Sequence, residues 1–345
     1  MQLRMLIKKI LRNISPTYRV SCYNQELLEK IFVIMKKNSM ETIDNQNKID
    51  VPTRNSLNDQ INEIVDCAFC GAKSYEEIYP DIAKCCMCGL VYLRSRHKET
   101  AAKRIYQNEY AREARESGYA KVATPIDQNE IDKNVSLQSL YLKYVLSFLS
   151  FPTPGLFLEI GCAWGSVLMA AKKAGYSTMG FELCLENVAF ANRLDLNVSH
   201  MPFLQAKIKD DSVDCVYMCH VFEHLYQPLE TIAKIKQILK PGGICYCNVP
   251  NFDCYWHDLK GSDWPWLDRR FHLFHYTSKT LSALFSKYGF TLLEVKTTTS
   301  NDFNTSPLKD YACIYPNKTA EQLLNETAQL SNDLHGECLI LIAQK

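Results

Sequence analysis

Four cysteines have the spacing of a metal site. Cys67 and Cys70 form one C-x-x-C pair, Cys85 and Cys88 form a second, and a glycine follows each pair. Two intervening residues let both thiolates of a pair reach one tetrahedral ion, and four cysteine ligands leave no open coordination position. The spacing therefore predicts a structural zinc ion rather than a cysteine-rich core. Cys86 lies inside the second pair and is left out of this ligand set.

A second group of residues lies where an apolar strand turns into a helix, in the stretch "LFLEIGCAWGS" (156–166). Gly161 and Gly165 permit a tight turn and close approach of the backbone to a ligand at the helix N-terminus. Ala163 replaces the middle glycine of dinucleotide-binding loops, and the loop holds no basic residue. Both features disfavour NAD and ATP and favour a ligand without phosphates.

Two acids narrow the choice of ligand. Glu182 ends the next apolar strand, where an acid can accept hydrogen bonds from both hydroxyls of a ribose. Glu159, just before the loop, suits an amino or cationic group. S-adenosylmethionine has a ribose, a sulfonium and an amino group and no phosphate, so these residues predict it as the cofactor.

The stretch "HVFEH" offers acid–base chemistry. The spacing of His220, Glu223 and His224 predicts that all three project from one helical face. H-x-x-E-H is also an inverted zinc-protease motif. That alternative is disfavoured because the stretch begins at a strand end and is followed by the helix-breaking Pro228.

The elements that must position these residues alternate between strand and helix. Apolar strands at "LFLEIG", "STMGFEL", "VDCVYMC" and "ICYCNVP" are separated by amphipathic helices, and the strands "FTLLEVKT" and "ECLILIAQ" follow. This alternation predicts an α/β fold with a mostly parallel sheet covered on both faces.

At residues 156–239 the chain resembles class I S-adenosylmethionine-dependent methyltransferases. "LEIGCAWG", "GFEL" and "DSVDCVYMCHVFEHLYQPLETIAKIKQILKPGG" carry the resemblance. "GSDWPWLDRRFHLFHYTSKTL" resembles a segment of a bacterial branch whose members often carry N-terminal cysteine knuckles and lie among genes for polysaccharides and secondary metabolites. The resemblance covers residues 65–300 and implies a Rossmann-like, doubly wound, seven-stranded sheet.

The resemblance also implies roles for single residues. The cofactor-binding set comprises Glu159, Gly161, Cys162, Ala163, Gly165, Glu182, Leu183, Phe203 and His220. The implied order of domains is two amphipathic helices (1–38), a linker (39–64), the zinc-binding module (65–95), a helical lid or substrate segment (96–150) and the methyltransferase domain (151–345).

For catalysis, the resemblance places His220 at the carboxyl end of the fourth strand, where a neutral imidazole could take the proton of an acceptor hydroxyl. Glu223 either assists catalysis or, with His224, holds the loop in shape. A similar loop binds a divalent ion in RNA-end 2′-O-methyltransferases, but His220 stands where those enzymes have an acid. His272 is a candidate pocket residue, whereas a histidine such as His275 is more often packed.

Two tryptophans of the same segment, Trp264 and Trp266, either form an apolar wall for a sugar ring or pack a lid. The expected acceptor is a small molecule or a glycan, methylated on oxygen or nitrogen. Transfer to carbon is disfavoured because the sugar C-methyltransferases with such knuckles carry a further C-terminal domain. A non-catalytic scaffold, and a nucleic-acid methyltransferase with the zinc module as reader, remain as alternatives.

Charge and composition limit the partners and the cellular location that we expect for the protein. A formal net charge of +1 argues against a nucleic-acid partner. Fifteen cysteines without a secretory signal, and no apolar run long enough to span a bilayer, favour the cytoplasm. Residues 1–14 are amphipathic and basic, so they either dock on the body of the protein or lie on an anionic membrane surface. The sequence leaves the oligomeric state open.

Overall fold

The computed structural model describes residues 62–108, 124–125, 127–151, 153–298 and 333–345, with backbone alone for 104–108. The helices expected within 1–38, the membrane contact expected for 1–14 and most of the expected linker lie outside these residues. Residues Asn55–Lys345 form one compact unit. Of the helices that the structure describes, none is both long enough and apolar enough to cross a membrane.

The N-terminal part of this unit consists of short strands and two helices. The strands are β1 (Asn62–Ile64), β2 (Tyr75–Tyr79), β3 (Ile82–Cys85), β4 (Val91–Leu93) and β5 (Ser95–His97), and the helices are α1 (Glu99–Asn108) and α2 (Gln128–Leu146). Strand β1 pairs with β5 in antiparallel fashion. The expected linker is therefore too long, because its last three residues form a strand.

Strands and helices then alternate through the later residues that the structure describes, 153–298 and 333–345. They are β6 (Leu156–Ile160), α3 (Ser166–Lys173), β7 (Ser177–Phe181), α4 (Leu185–Arg193), β8 (Val198–Ser199), β9 (Val213–Cys219), α5 (Pro228–Ile238), β10 (Leu239–Pro250), α6 (Tyr255–Lys260), β11 (Phe274–His275), α7 (Ser278–Lys287), β12 (Thr291–Thr298) and β13 (Cys338–Gln344). Single 3-10 turns occur at Phe203–Gln205, Phe222–His224 and Gly261–Asp263.

The large sheet has seven strands in the order β12-β13-β10-β9-β6-β7-β8. Five adjacent strands of this sheet, β10, β9, β6, β7 and β8, are mutually parallel. Strand β13 runs antiparallel to both of its neighbours, β10 and β12. Strands β9 and β13 are buried at all but their last residue, which accounts for the continuous apolar runs that predicted them. The expected α/β fold with a mostly parallel seven-stranded sheet is confirmed.

A second sheet joins the cysteine-rich segment to the α/β part of the chain. Its order is β11-β4-β3-β2, and β11 pairs with β4 through Phe274 opposite Tyr92 and His275 opposite Val91. The backbone amide of Leu93 also donates to the carbonyl of Leu273 at 2.9 Å. The cysteine-rich segment and the residues after β10 therefore share one sheet.

Candidate active site

The loop after β6 is held in an unusual backbone conformation. Gly161, Ala163 and Gly165 have φ angles of +69°, +46° and +90°. A Cβ atom added at Gly161 would lie 2.4 Å from Cγ2 of Val221, so the glycine lets this loop pack against the segment after β9. For Ala163 the left-handed region costs roughly 1 kcal/mol. This loop is therefore strained at its centre.

Glu182 fixes the centre of that loop. Its Oε2 atom accepts a hydrogen bond from the amide of Ala163 at 2.9 Å, and Oε1 accepts from the amides of Leu183 and Cys184 at 2.7 and 2.8 Å. Burial raises the pKa of Glu182 despite these three amides, which lower it. The carboxylate thus ties the turn after β7 to the loop after β6, and Oε2, which accepts a single hydrogen bond, retains acceptor capacity.

Glu159 is a buried acid with an unsatisfied oxygen. It is 5% exposed, and Oε2 accepts no hydrogen bond from the residues that the structure describes. Burial, and then the charge of Glu182, raise its pKa well above the usual range. Because two neighbouring carboxylates are both penalised in this way, a cationic ligand between them would stabilise their ionised forms.

A cavity of about 640 Å³ lies over the carboxyl ends of the parallel strands. Its size and position are those of a small-molecule site in an open α/β sheet. The predicted residues on its wall are Glu159, Gly161, Cys162, Ala163, Glu182, Leu183, Phe203, His220 and His272. Gly165 caps helix α3 behind the wall, and an added Cβ there would meet Leu196 at 2.4 Å. Glu223 is buried behind the wall as well.

Lys234 on α5 positions one side of the cavity, and the sequence analysis missed it. Its ammonium group donates to the carbonyls of Phe203, Leu204 and Ala206 at 2.7, 3.0 and 2.6 Å and lies 4.8 Å from the centre of the Phe203 ring. Burial lowers its pKa. No sequence signal distinguishes this lysine from the others of an amphipathic helix.

His220 ends β9 with a φ angle of +54°, and its amide donates to the carbonyl of Asn248 at 2.8 Å. The expectation of one helical face is wrong, because His220 follows a strand and Phe222–His224 form a single 3-10 turn. The turn still brings Nδ1 of His220 to 3.4 Å from Oε1 of Glu223. The His220 ring stacks on Trp266 with centroids 5.0 Å apart.

His272 and Trp266 form the wall facing the loop after β9. His272 donates through Nδ1 to the carbonyl of Trp266 at 2.8 Å, and burial, together with neighbouring His224, lowers its pKa to about 4. Trp264 packs instead against Phe252, with ring centroids 6.3 Å apart. His275 is buried in β11. Of the two tryptophans, Trp266 thus lines the cavity and Trp264 packs beneath it.

The four predicted metal ligands converge. The Sγ atoms of Cys67 and Cys88, and those of Cys70 and Cys85, are 3.5 Å apart, and all four sulfurs lie within 4.8 Å of one another. Burial raises the pKa of Cys85, but amide and thiol hydrogen bonds outweigh it and lower the value to about 7. Cys86 is exposed and stands outside the cluster, as the spacing predicted.

Comparison with known families agrees with this geometry. Residues 135–295 match the family described as a methyltransferase domain. Residues 135–295, slightly under half of the chain, thus resemble a methyltransferase domain. The match includes the loop after β6, Glu182 and the 3-10 turn after His220, and it ends inside β12. It leaves the cysteine cluster outside.

Curated relatives of the methyltransferase domain include ubiquinone biosynthesis O-methyltransferases. That of Actinobacillus pleuropneumoniae serotype 5b is 25% identical over 154 residues, covering 36% of this chain and 66% of the relative. The enzyme of Dinoroseobacter shibae is 28% identical over 107 residues, which cover 29% of this chain and 43% of that relative. The chain thus spans slightly under two thirds of one relative and less than half of the other.

Solved structures similar to the methyltransferase domain include an S-adenosylmethionine-dependent methyltransferase from Mesorhizobium loti, at 16% identity and a TM-score of 0.43, covering 59% of this chain and 96% of that one. Phosphoethanolamine N-methyltransferase 2 from Haemonchus contortus is 18% identical with a TM-score of 0.46, and the match covers 60% of this chain and 52% of that one. The strand order given above establishes the architecture independently of these similarities.

Proposed function

We propose that the protein is an S-adenosylmethionine-dependent methyltransferase acting on an oxygen or nitrogen of a small-molecule or glycan acceptor. The observation that carries this proposal is the buried, unsatisfied carboxylate of Glu159 beside Glu182 in the cavity wall. The amino group and sulfonium of S-adenosylmethionine would supply the positive charge that this site needs, and the remaining lone pair on Oε2 of Glu182 would accept a ribose hydroxyl.

His220 is the residue we assign to proton removal, since its ring lines the cavity at the carboxyl end of β9. Bound S-adenosylmethionine would supply a methyl group whose bond to sulfur breaks as the acceptor oxygen takes it, and the imidazole of His220 would accept the hydroxyl proton. The sulfonium is already a good leaving group, so alignment of the two reactants is the main task of the site. The names of the curated relatives favour oxygen as the acceptor atom.

We also propose that the cysteine cluster holds a structural zinc ion. A tetrahedral ion with zinc–sulfur bonds of about 2.3 Å separates its sulfurs by roughly 3.8 Å. Two of the sulfur pairs already lie at 3.5 Å. The amides of Gly71 and Gly89 donate to the carbonyls of Cys67 and Cys85, which closes both knuckle turns. All four positions are taken by thiolates, so this ion would have no role in the reaction itself.

The test is calorimetric titration of the full chain with S-adenosylmethionine, beside a Glu182→Ala variant and with NAD as the control ligand. Micromolar binding that weakens at least tenfold in the variant, without a response to NAD, is the expected result. Absence of binding by the folded, zinc-loaded protein would refute the enzyme and favour a non-catalytic scaffold.

A further inference from the structure

The loop after β9 holds a buried carboxylate without hydrogen-bond donors. Glu223 is 1% exposed, and neither of its oxygens accepts a hydrogen bond from any residue that the structure describes. Its nearest ionisable neighbours are His220 Nδ1 at 3.4 Å and His224 Nε2 at 3.9 Å. Burying an ionised carboxylate costs several kcal/mol unless a cation or donors compensate. This position therefore requires a positive charge close by.

One ring nitrogen from each of two imidazoles, those of His224 and His272, lies near that carboxylate. His224 donates through Nδ1 to the carbonyl of Phe271 at 2.9 Å, and His272 donates through Nδ1 to the carbonyl of Trp266 at 2.8 Å. A carbonyl only accepts, so the proton sits on Nδ1 and the neutral ring has its lone pair on Nε2. The two ring centroids are 4.7 Å apart.

We propose that Glu223, His224 and His272 bind one divalent transition-metal ion. One ligand atom from each residue lies within 4.8 Å of the others, so small side-chain rotations bring all three to coordination distance. Metal-binding histidines usually donate their second ring nitrogen to a carbonyl or carboxylate, as both do here. Two imidazoles and one carboxylate suit Zn2+, Mn2+ or Fe2+ and leave further positions open.

The proposed ion deepens the role of the cavity. His224 and His272 line it together with His220, so the open coordination positions would face the acceptor side. An acceptor oxygen held there would lose its proton more readily, next to the imidazole of His220. This second step rests on the proposed methyltransferase activity, whereas the binding of the ion does not.

The competing arrangement is a proton shared by the same groups. An imidazolium at His224 would supply the charge, but its Nε2 atom is 3.9 Å from the carboxylate, beyond hydrogen-bond distance. In that arrangement the group nearest to the Glu223 oxygens is His220 Nδ1 at 3.4 Å, not the His224 imidazolium. A metal-binding measurement distinguishes the metal site from the shared proton, because a protonated site takes up no ion at neutral pH.

The probe is Mn2+, added to the full chain loaded with a single equivalent of zinc, which the cysteine cluster takes up, and followed by loss of the paramagnetic resonance of the free ion. The thiolate cluster prefers softer metals and does not compete for Mn2+. We expect one Mn2+ per chain, bound at least tenfold more weakly by Glu223→Gln and by His272→Gln. His335→Gln is the matched control, since His335 is exposed and contacts Asp253 instead, and it should bind as the parent does.

Failure to bind Mn2+ by the folded parent, or equal binding by the two site variants, would overturn the proposal. If a variant does not fold, an anomalous difference peak at the manganese edge between the three side chains of the parent decides in its favour, and a peak elsewhere decides against it. A parent that binds Mn2+ but not S-adenosylmethionine would refute the proposed function and leave the metal site standing.

Discussion

We expect Glu159 to make the affinity for S-adenosylmethionine depend on pH. Burial and the charge of Glu182 raise its pKa in the free protein, whereas a bound sulfonium favours its ionised form. Binding therefore releases a proton, and affinity rises with pH while the free carboxyl is still protonated, by up to about tenfold per pH unit. Titration of S-adenosylmethionine between about pH 5.5 and 7.5, in buffers of different ionisation enthalpy, measures this release.

Glu159→Gln should bind more weakly and with little dependence on pH over the same range. S-adenosylhomocysteine, which lacks the sulfonium, serves as the matched ligand and should show a shallower slope with the parent. An unchanged slope in the variant would assign the released proton to another group.

Gly161 is constrained by both backbone and space. Gly161→Ala places a methyl group 2.4 Å from Val221 Cγ2 and forces a non-glycine residue to a φ of +69°. We expect a loss of about 1–3 kcal/mol in the free energy of unfolding, measured by urea denaturation. Adding Val221→Ala should recover the steric part and leave roughly 1 kcal/mol of backbone strain. No recovery in the double variant would mean that strain alone accounts for the loss.

The sequence predicted the two acids that line the cavity more readily than the contacts that hold them. Glu159 and Glu182 lie at the ends of neighbouring apolar runs, and parallel strands bring such ends to one edge of a sheet. The hydrogen bond from the Ala163 amide to Glu182 depends on a left-handed residue in the turn. Alanine gives no sign of that conformation, so this contact could not be foreseen.

At the scale of elements, helix α5 holds the turn that carries Phe203. Lys234→Met removes the donor to three carbonyls of that turn, and we expect the affinity for S-adenosylmethionine to fall about tenfold, equivalent to about 1.4 kcal/mol. Lys236→Met is the matched control on the same helix, because Lys236 donates to Gly289 instead. Calorimetry measures the affinity of both variants for S-adenosylmethionine. Equal losses of affinity would mean that the helix as a whole is responsible, not the hydrogen bonds of Lys234.

Apolar runs predicted the long strands well and the short elements badly. Strands β9, β10 and β13 are buried over most of their length, so their composition shows them directly. Strand β8 has only two residues, too few for a period. The spacing of His220, Glu223 and His224 fits a helix, but also a strand end followed by a 3-10 turn, and periodicity over five residues does not separate the two.

At the scale of the whole unit, the shared sheet links the two proposed metal centres to the cavity. Strand β4 follows the second cysteine pair, and β11 begins two residues after His272. Their pairing joins segments that are far apart in the chain, and the two-residue β11 gives no sequence signal. The zinc motif was therefore visible in the sequence, whereas its contact with the acceptor side of the cavity was not.

That contact predicts what loss of the cysteine-bound metal would do. Cys85→Ser should release the ion, loosen β4 and so speed amide hydrogen exchange at Leu93 at least tenfold, because the Leu93 amide donates to the carbonyl of Leu273 where β4 pairs with β11. Affinity for S-adenosylmethionine should change less than twofold, since Glu159 and Glu182 sit on β6 and after β7. Cys86→Ser is the matched control, exposed and outside the cluster. Hydrogen exchange followed by mass spectrometry measures the exchange rate, and quantification of bound zinc measures the loss of the ion. If exchange at Leu93 stays at the parent rate after the zinc has left, the shared sheet is held by its own packing and the metal stabilises only the two cysteine turns.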